Sequence, residues 1–181
     1  MSSNRTLISG GLVVTAADEL HADVLIEDGR VAALAAHGSA AAEAWTAERT
    51  IDATGKYVIP GGVDAHTHME LPFGGTSASD TFETGTRAAA WGGTTTIVDF
   101  AVQSVGHSLR EGLDTWYAKA DGNCAVDYSF HMILSDVNEG TLKEMDLLVG
   151  EGVTSFKSFI GSRDQETSRG LGDLVGSGAV Q

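Results

Sequence analysis

Cysteine is nearly absent from this chain of 181 residues: Cys124 stands alone, so no intrachain disulfide can form. No run reaches the roughly 18 consecutive apolar residues of a membrane-spanning helix. The opening Met1-Ser2-Ser3-Asn4-Arg5 has no apolar signal core. These absences together place the expected location in the cytoplasm. Cations are scarce, with 11 Lys and Arg against 25 Asp and Glu, for a formal net charge of −14. So acidic a chain is not drawn to nucleic acid or to an anionic membrane, and the plainest reading of the charge is a well-solvated surface. No repeat of solenoid period is found. What remains is a chain that is 42% hydrophobic, which suits a globular core and excludes a disordered polymer. Its length is enough for one domain, or for one domain and a small flanking module.

The first 55 residues read as β-structure. Short apolar runs at Thr6 to Ile8, Leu12 to Thr15, Val24 to Glu27 and Val31 to Leu34 are punctuated by Gly10-Gly11 and Asp28-Gly29. Glu27-Asp28-Gly29-Arg30 between two such runs is a tight hairpin signal. Ala35 to Ala47 is Ala-rich and reads as a loop with room for a helical turn; Arg49 to Ala53 reads as one more strand, stopped at Thr54-Gly55. From residue 56 the rhythm becomes βα. An apolar run broken by Pro60-Gly61-Gly62 is followed by helix candidates at Asp80 to Trp91, Leu109 to Lys119 and Asn138 to Val149. Strand candidates at Thr94 to Phe100, Val126 to Leu134 and Val153 to Ile160 alternate with them. The alternation specifies an α/β fold with a parallel sheet. Its pitch is that of a (β/α)8 barrel, which takes about 250 residues, so residues 56–160 amount to the first half of one. Residues 161–181 are polar and then Gly-rich without periodicity, and read as a loose tail.

The strongest chemical signal is His66-Thr67-His68 at the end of the first barrel strand, embedded in Pro60-Gly-Gly-Val-Asp-Ala-His-Thr-His. Strand residues two apart share a face, so the imidazoles of His66 and His68 can bind one metal together. The C-terminal end of a barrel strand opens on the active-site mouth. Lys157 lies inside an apolar strand about three βα units later, where a bare ammonium is costly. Burial beside cations favours its neutral amine, which can add carbon dioxide and become an anionic carbamate; the other reading is a lysine snorkelling from a strand end. Asp64, two residues before His66, fits either orientation of a ligand imidazole or a turn after Gly61-Gly62. Asp99, at the end of the second strand, fits a supporting role just as loosely. His131 is mid-strand with Asp127 and Ser129 on its own face, and His107 reads as a solvated loop residue. Cys124 has no base indicated beside it. The loop Met69 to Ser79 carries the apolar Leu71, Pro72 and Phe73.

The stretch Ile51-Asp-Ala-Thr-Gly-Lys-Tyr-Val-Ile-Pro-Gly-Gly-Val-Asp-Ala-His-Thr-His-Met-Glu resembles the barrel entry of dihydropyrimidinases and D-hydantoinases, which are cyclic amidohydrolases. Gly85-Thr-Arg-Ala-Ala-Ala, Trp91-Gly-Gly-Thr-Thr-Thr-Ile-Val-Asp-Phe, Val126-Asp-Tyr with His131, and Gly152-Val-Thr-Ser-Phe-Lys extend the resemblance in order, over roughly Leu7 to Phe159. It implies a small β-sandwich module at 1–55, a distorted barrel beginning at 56, and two zinc ions held in part by His66 and His68 and bridged by carboxylated Lys157. It also implies a small cyclic amide, a dihydropyrimidine or a 5-substituted hydantoin, as substrate, and a homotetrameric full-length parent. By the same resemblance the loop Met69 to Ser79 would form an apolar wall of the substrate pocket, the other reading being plain loop packing, and His131 would be a packed structural histidine, since the family keeps its other histidine ligands on later strands.

The remaining two histidine ligands and a proton-shuttling carboxylate belong, by the same resemblance, to later strands outside this sequence. Ser162 stands where the family places a tyrosine that steadies the oxyanion. A truncated chain of this kind is expected to open rings poorly on its own. Two other readings are a non-catalytic scaffold relative, which typically loses the ligand residues retained here, and an allantoinase or dihydroorotase type of cyclic amidohydrolase.

Overall fold

The computed structural model describes residues 4–73 and 75–158. The tail expected at 161–181 lies outside the described residues, as does the end of the strand expected to run to Ile160. The chain divides into two compact units, Met1–Pro60 and Gly61–Gln181.

The first unit is one five-stranded mixed sheet. Its strands are β1 (Arg5–Val14), β2 (Glu19–Glu27), β3 (Arg30–Ala36), β4 (Arg49–Asp52) and β5 (Tyr57–Val58), with a single helical turn, α1 (Ala40–Glu43), after β3. The β2–β3 hairpin turns on Asp28 and Gly29, with φ of 49° and 77°, as the Asp-Gly signal requires. The runs at Thr6 to Ile8 and Leu12 to Thr15 are one strand rather than two. Gly10-Gly11 does not end β1; it bulges it, shifting the register against β2 between Ile8 and Gly11. Gly10 takes φ +76°, open to glycine at little cost. β1 pairs in parallel with β4 along Thr6 to Ser9 and with β5 at Leu12 and Val13. The turn between those two partners presses on the bulge, and a Cβ on Gly11 would stand 3.0 Å from Ala53 Cβ. Val13, Ala22 and Val24 form the small core, against which Ile8, Leu20, Ile26 and Val58 pack.

The second unit carries a four-stranded parallel sheet in chain order: β6 (Gly62–Thr67), β9 (Thr94–Val102), β10 (Asp127–Leu134) and β11 (Phe156–Ser158). A two-stranded hairpin, β7 (Pro72–Phe73) with β8 (Thr76–Ser77), follows β6. The helices α2 (Phe82–Trp91), α3 (Leu109–Ala120) and α4 (Glu139–Gly150) fall one between each pair of sheet strands. Each starts where a short polar side chain caps it. Thr81 and Ser108 close capping boxes with Thr84 and Glu111, and Asn138 Oδ1 accepts from Gly140 and Thr141 N–H. Leu109, Leu113, Trp116 and Ala120 form the buried stripe of α3 at helical spacing. Gly112 lies on the same stripe, where a Cβ would meet Val102 O at 2.9 Å, so the missing side chain lets α3 lie close on β9. Phe82, Ile97, Phe130, Met132 and Leu148 complete this core at 1% exposure or less, each side chain contributing about 1.5–3 kcal/mol.

Candidate metal centre

The site is built at the C-terminal end of β6. Asp64 pairs with Ile97 and Thr67 with Asp99, so Ala65 and His66 together stand opposite the single residue Val98. This bulge breaks the simple alternation that would have put Asp64 on the face of His66. Asp64 Oδ1 instead accepts the backbone N–H of His66 at 3.1 Å, which makes it the turn-forming residue of the two readings.

Asp99 holds the strand end. It is fully buried in the middle of β9 rather than at its end. Its Oδ2 accepts from the Thr67 hydroxyl and the Met69 N–H, each at 2.8 Å, and its Oδ1 accepts from Phe100 N–H at 2.7 Å. The residues on either side of His68 are thus fastened to one carboxylate. Beyond them Glu70 turns the chain away at φ 52°, its carboxylate reaching Phe82 N–H at 3.4 Å and Lys119 Nζ at 3.8 Å.

Phe100 is the floor. Its ring centroid lies 4.7 Å from that of His66, 4.8 Å from that of His68 and 4.7 Å from that of His131, and Lys157 Nζ stands 4.4 Å above it. The His66 and His68 rings are 5.1 Å apart and nearly perpendicular. An open pocket of about 470 Å³ sits here, lined by Ala65, His66, Phe100, His131, Phe156, Lys157 and Ser158. His66, His68 and Lys157 therefore converge on one ring.

The donor chemistry fits a cation. Burial first, then the charge of Lys157 and of His66, hold the His68 imidazole below its ordinary value, against the pull of Asp99. A neutral imidazole offers a lone pair, and His68 Nδ1 is buried without a hydrogen-bond partner among the described residues, which asks for an explanation. No group of three His, Cys, Asp or Glu side chains converges to hold a metal among the described residues. Two imidazoles and an amine are what this part of the chain supplies.

The sequence profile described as the Amidohydrolase family matches residues 49–171, which includes every one of these residues. This chain belongs to the amidohydrolase family. It is 82% identical over 158 residues to a D-hydantoinase of Streptomyces coelicolor, covering 87% of this chain and 34% of that protein. To a D-hydantoinase of Geobacillus stearothermophilus it is 46% identical over 160 residues, covering 87% of this chain and 33% of the relative. The solved structure of dihydropyrimidinase from Brevibacillus agri superposes with a TM-score of 0.82 at 45% identity, over 90% of this chain and 34% of that one. The chain thus spans about a third of the length of the relatives it matches, and the resemblance to D-hydantoinases and dihydropyrimidinases read from its motifs holds for that third.

Other residues of this amidohydrolase chain sort by their surroundings. His131 is engaged at both ring nitrogens, by Ala65 O at 2.9 Å and by the Ser155 hydroxyl, so it is a structural histidine that also lines the pocket. His107 is exposed beside Glu111 at 3.3 Å. Burial, then Asp99 and Asp121, push the Cys124 thiol up to about 11, which makes it a poor nucleophile. Met69 is buried in the core and Leu71 packs against it, so these two residues of the loop after His68 serve packing rather than a pocket wall. Phe100 and Ser155 went unnoticed as site residues. A phenyl ring carries no reactive group, and only its register, one residue after a buried carboxylate on an inner strand, points to it.

Proposed function

We propose that this chain is the ligand-bearing first part of a hydrolase that opens the C–N bond of cyclic amides, dihydropyrimidines and 5-substituted hydantoins, at a binuclear zinc site. The observation that carries the reading is the gathering of His66, His68 and Lys157 around Phe100, with the buried His68 Nδ1 left for a cation. The D-hydantoinases and dihydropyrimidinase it resembles act on such rings by name.

His66 and His68 would hold the first zinc ion by neutral ring nitrogens. The Lys157 amine would add carbon dioxide, forming an N–C bond and releasing one proton, to give an anionic carbamate that would supply oxygen donors to the metal site. When bound, zinc polarises an amide carbonyl and makes a nucleophile available at neutral pH. Asp99 keeps Thr67 and Met69 still, and with them the backbone of His68. Phe100 closes the site from below, while the pocket rim at Ala65, Phe156 and Ser158 stays open for a ring-sized substrate. Further ligands and the carboxylate that moves the proton are assigned to later barrel strands, so ring opening by this chain alone is expected to be slight.

In the same reading, residues 56–160 are the first half of a (β/α)8 barrel, and 161–181 a divergent tail. Residues 1–55 are one layer of a β-sandwich, whose second layer would cover the exposed Val31, Leu34 and Ile51. The parent enzyme is cytoplasmic and homo-oligomeric. Among the described residues no helix is long and apolar enough to cross a membrane.

Equilibrium dialysis against zinc tests the site. The chain should bind zinc saturably, and His66→Ala or His68→Ala should weaken binding at least tenfold. Binding that neither substitution disturbs would sink the assignment.

A further inference from the structure

His131 does more than fill space. It lies on β10, opposite Phe100 of β9, and its ring leans on that phenyl at 4.7 Å. From there it reaches past β9 to β6, where its Nε2 meets Ala65 O at 2.9 Å. Ala65 is the residue before His66 and belongs to the bulge, where β6 and β9 fall out of register. The other ring nitrogen, Nδ1, meets the hydroxyl of Ser155 on the far side. Ser155 is two residues before Lys157, and in an extended chain residues two apart point the same way.

The chemistry of the partners fixes the proton. A carbonyl oxygen only accepts, so Nε2 carries the hydrogen; in the neutral ring Nδ1 then accepts from the Ser155 hydroxyl. Both nitrogens are spent on protein, which removes His131 from the list of metal ligands. The same two bonds join the strand that carries His66 to the strand that carries Lys157, although β9 and β10 separate those strands in the sheet.

We propose that His131 and Ser155 are positioning residues, a tie across the sheet that sets the separation between the imidazole end of the site on β6 and the lysine end on β11. The inference rests on the metal-site reading above. Donors drawn from β6 and β11 can serve one metal site only while the separation of those strands is held. The tie acts at Ala65 and Ser155, next to the ligands and outside the first coordination sphere, where loss of an orienting partner typically lowers metal affinity about 10- to 100-fold.

The test uses the whole chain and zinc alone as probe. Ser155→Ala should weaken zinc binding about tenfold, and Ser155→Thr, which keeps the hydroxyl, should restore it. His131→Gln should weaken it by at least as much as Ser155→Ala, and the double variant no more than His131→Gln alone, because one tie is cut only once. The nitrogen-15 spectrum of the unaltered protein needs no variant: at neutral pH His131 should show the Nε2–H tautomer. An Nδ1–H tautomer overturns the tie. Unchanged zinc affinity in both single variants, with His66→Ala still weakening binding at least tenfold, overturns the positioning role and leaves the metal site standing. If the unaltered chain binds no zinc, the metal site and the positioning role fall together.

Discussion

Each of the two units carries a bulged strand fastened by a buried aspartate, and the two devices do different things. In the first unit Asp23 Oδ1 accepts from Gly10 N–H at 2.8 Å, from the Ser9 hydroxyl at 3.1 Å and from His37 Nδ1 at 2.8 Å. The bulge it holds is made of glycines and exposes no reactive group. In the second unit Asp99 holds the chain just past the bulge at Ala65 and His66, and what emerges is a pair of imidazoles over a phenyl ring. The same local trick, an irregular strand pinned by a carboxylate that accepts three hydrogen bonds, shapes a sheet in one place and aims ligands in the other. The difference lies in where the strand ends: Gly10 is midway along β1, while His66 and His68 stand at the C-terminal end of a parallel strand, where side chains meet open space.

Breaking the second device should have the largest effect. Asp99→Ala leaves the Thr67 hydroxyl and the Met69 and Phe100 N–H groups without their acceptor inside a core. A loss of about 3 kcal/mol or more in unfolding free energy is expected, read by urea denaturation followed by far-ultraviolet circular dichroism. Zinc binding should fall with it. If stability held and only zinc affinity changed, Asp99 would be a purely electrostatic partner of the site rather than its anchor.

Much of this was legible in the residues. The βα rhythm, the Asp28-Gly29 hairpin and the pairing of His66 with His68 follow from local chemistry and spacing, while Lys157 joins them as a ligand only through the family resemblance. The bulges are not legible in this way: Gly10-Gly11 reads equally well as a strand end and as an irregularity within a strand, and nothing in Ala65-His66 marks one, so only the register against β2 and β9 reveals them. The place of Asp64 is hidden for the same reason: alternation along β6 presumes a regularity that the bulge removes. Tertiary partnerships such as His131 with Ala65 span 66 residues and leave no periodic trace.

A sharper contrast comes from glycines in the first unit. Gly10 and Gly29 have nearly the same φ, +76° and +77°, but a Cβ on Gly10 would stand 2.9 Å from Thr54 Oγ1 while one on Gly29 meets nothing within 4 Å. Ala at either position meets the left-handed penalty of about 1–2 kcal/mol. Gly10→Ala should exceed Gly29→Ala, since Thr54 must also move. Hydrogen exchange of the β1 amides measures both. Equal effects would show that the bulge tolerates expansion and that the pinning by Asp23 is incidental.

The smallest effect is expected at Asp23 itself, and its sign with pH decides whether charge matters there. Burial raises the Asp23 carboxyl, but bonds from Gly10, His37 and Ser9 and the charge of His37 outweigh it, and the group is held below its ordinary value of 3.8. A carboxyl depressed in the folded state binds its proton less readily there than in the unfolded chain. Its contribution is therefore complete above about pH 4 and drains away as pH falls through the lowered folded value. Asp23→Asn keeps an acceptor and the shape, so at pH 7 it should cost about 1 kcal/mol. Between pH 4 and pH 2 the gap between the two proteins should close, because the unaltered aspartate becomes protonated and loses its advantage. A gap that stayed constant across that range would mean that Asp23 holds the Gly10 bulge by hydrogen-bond geometry alone, and that the likeness to Asp99 is one of shape and not of charge.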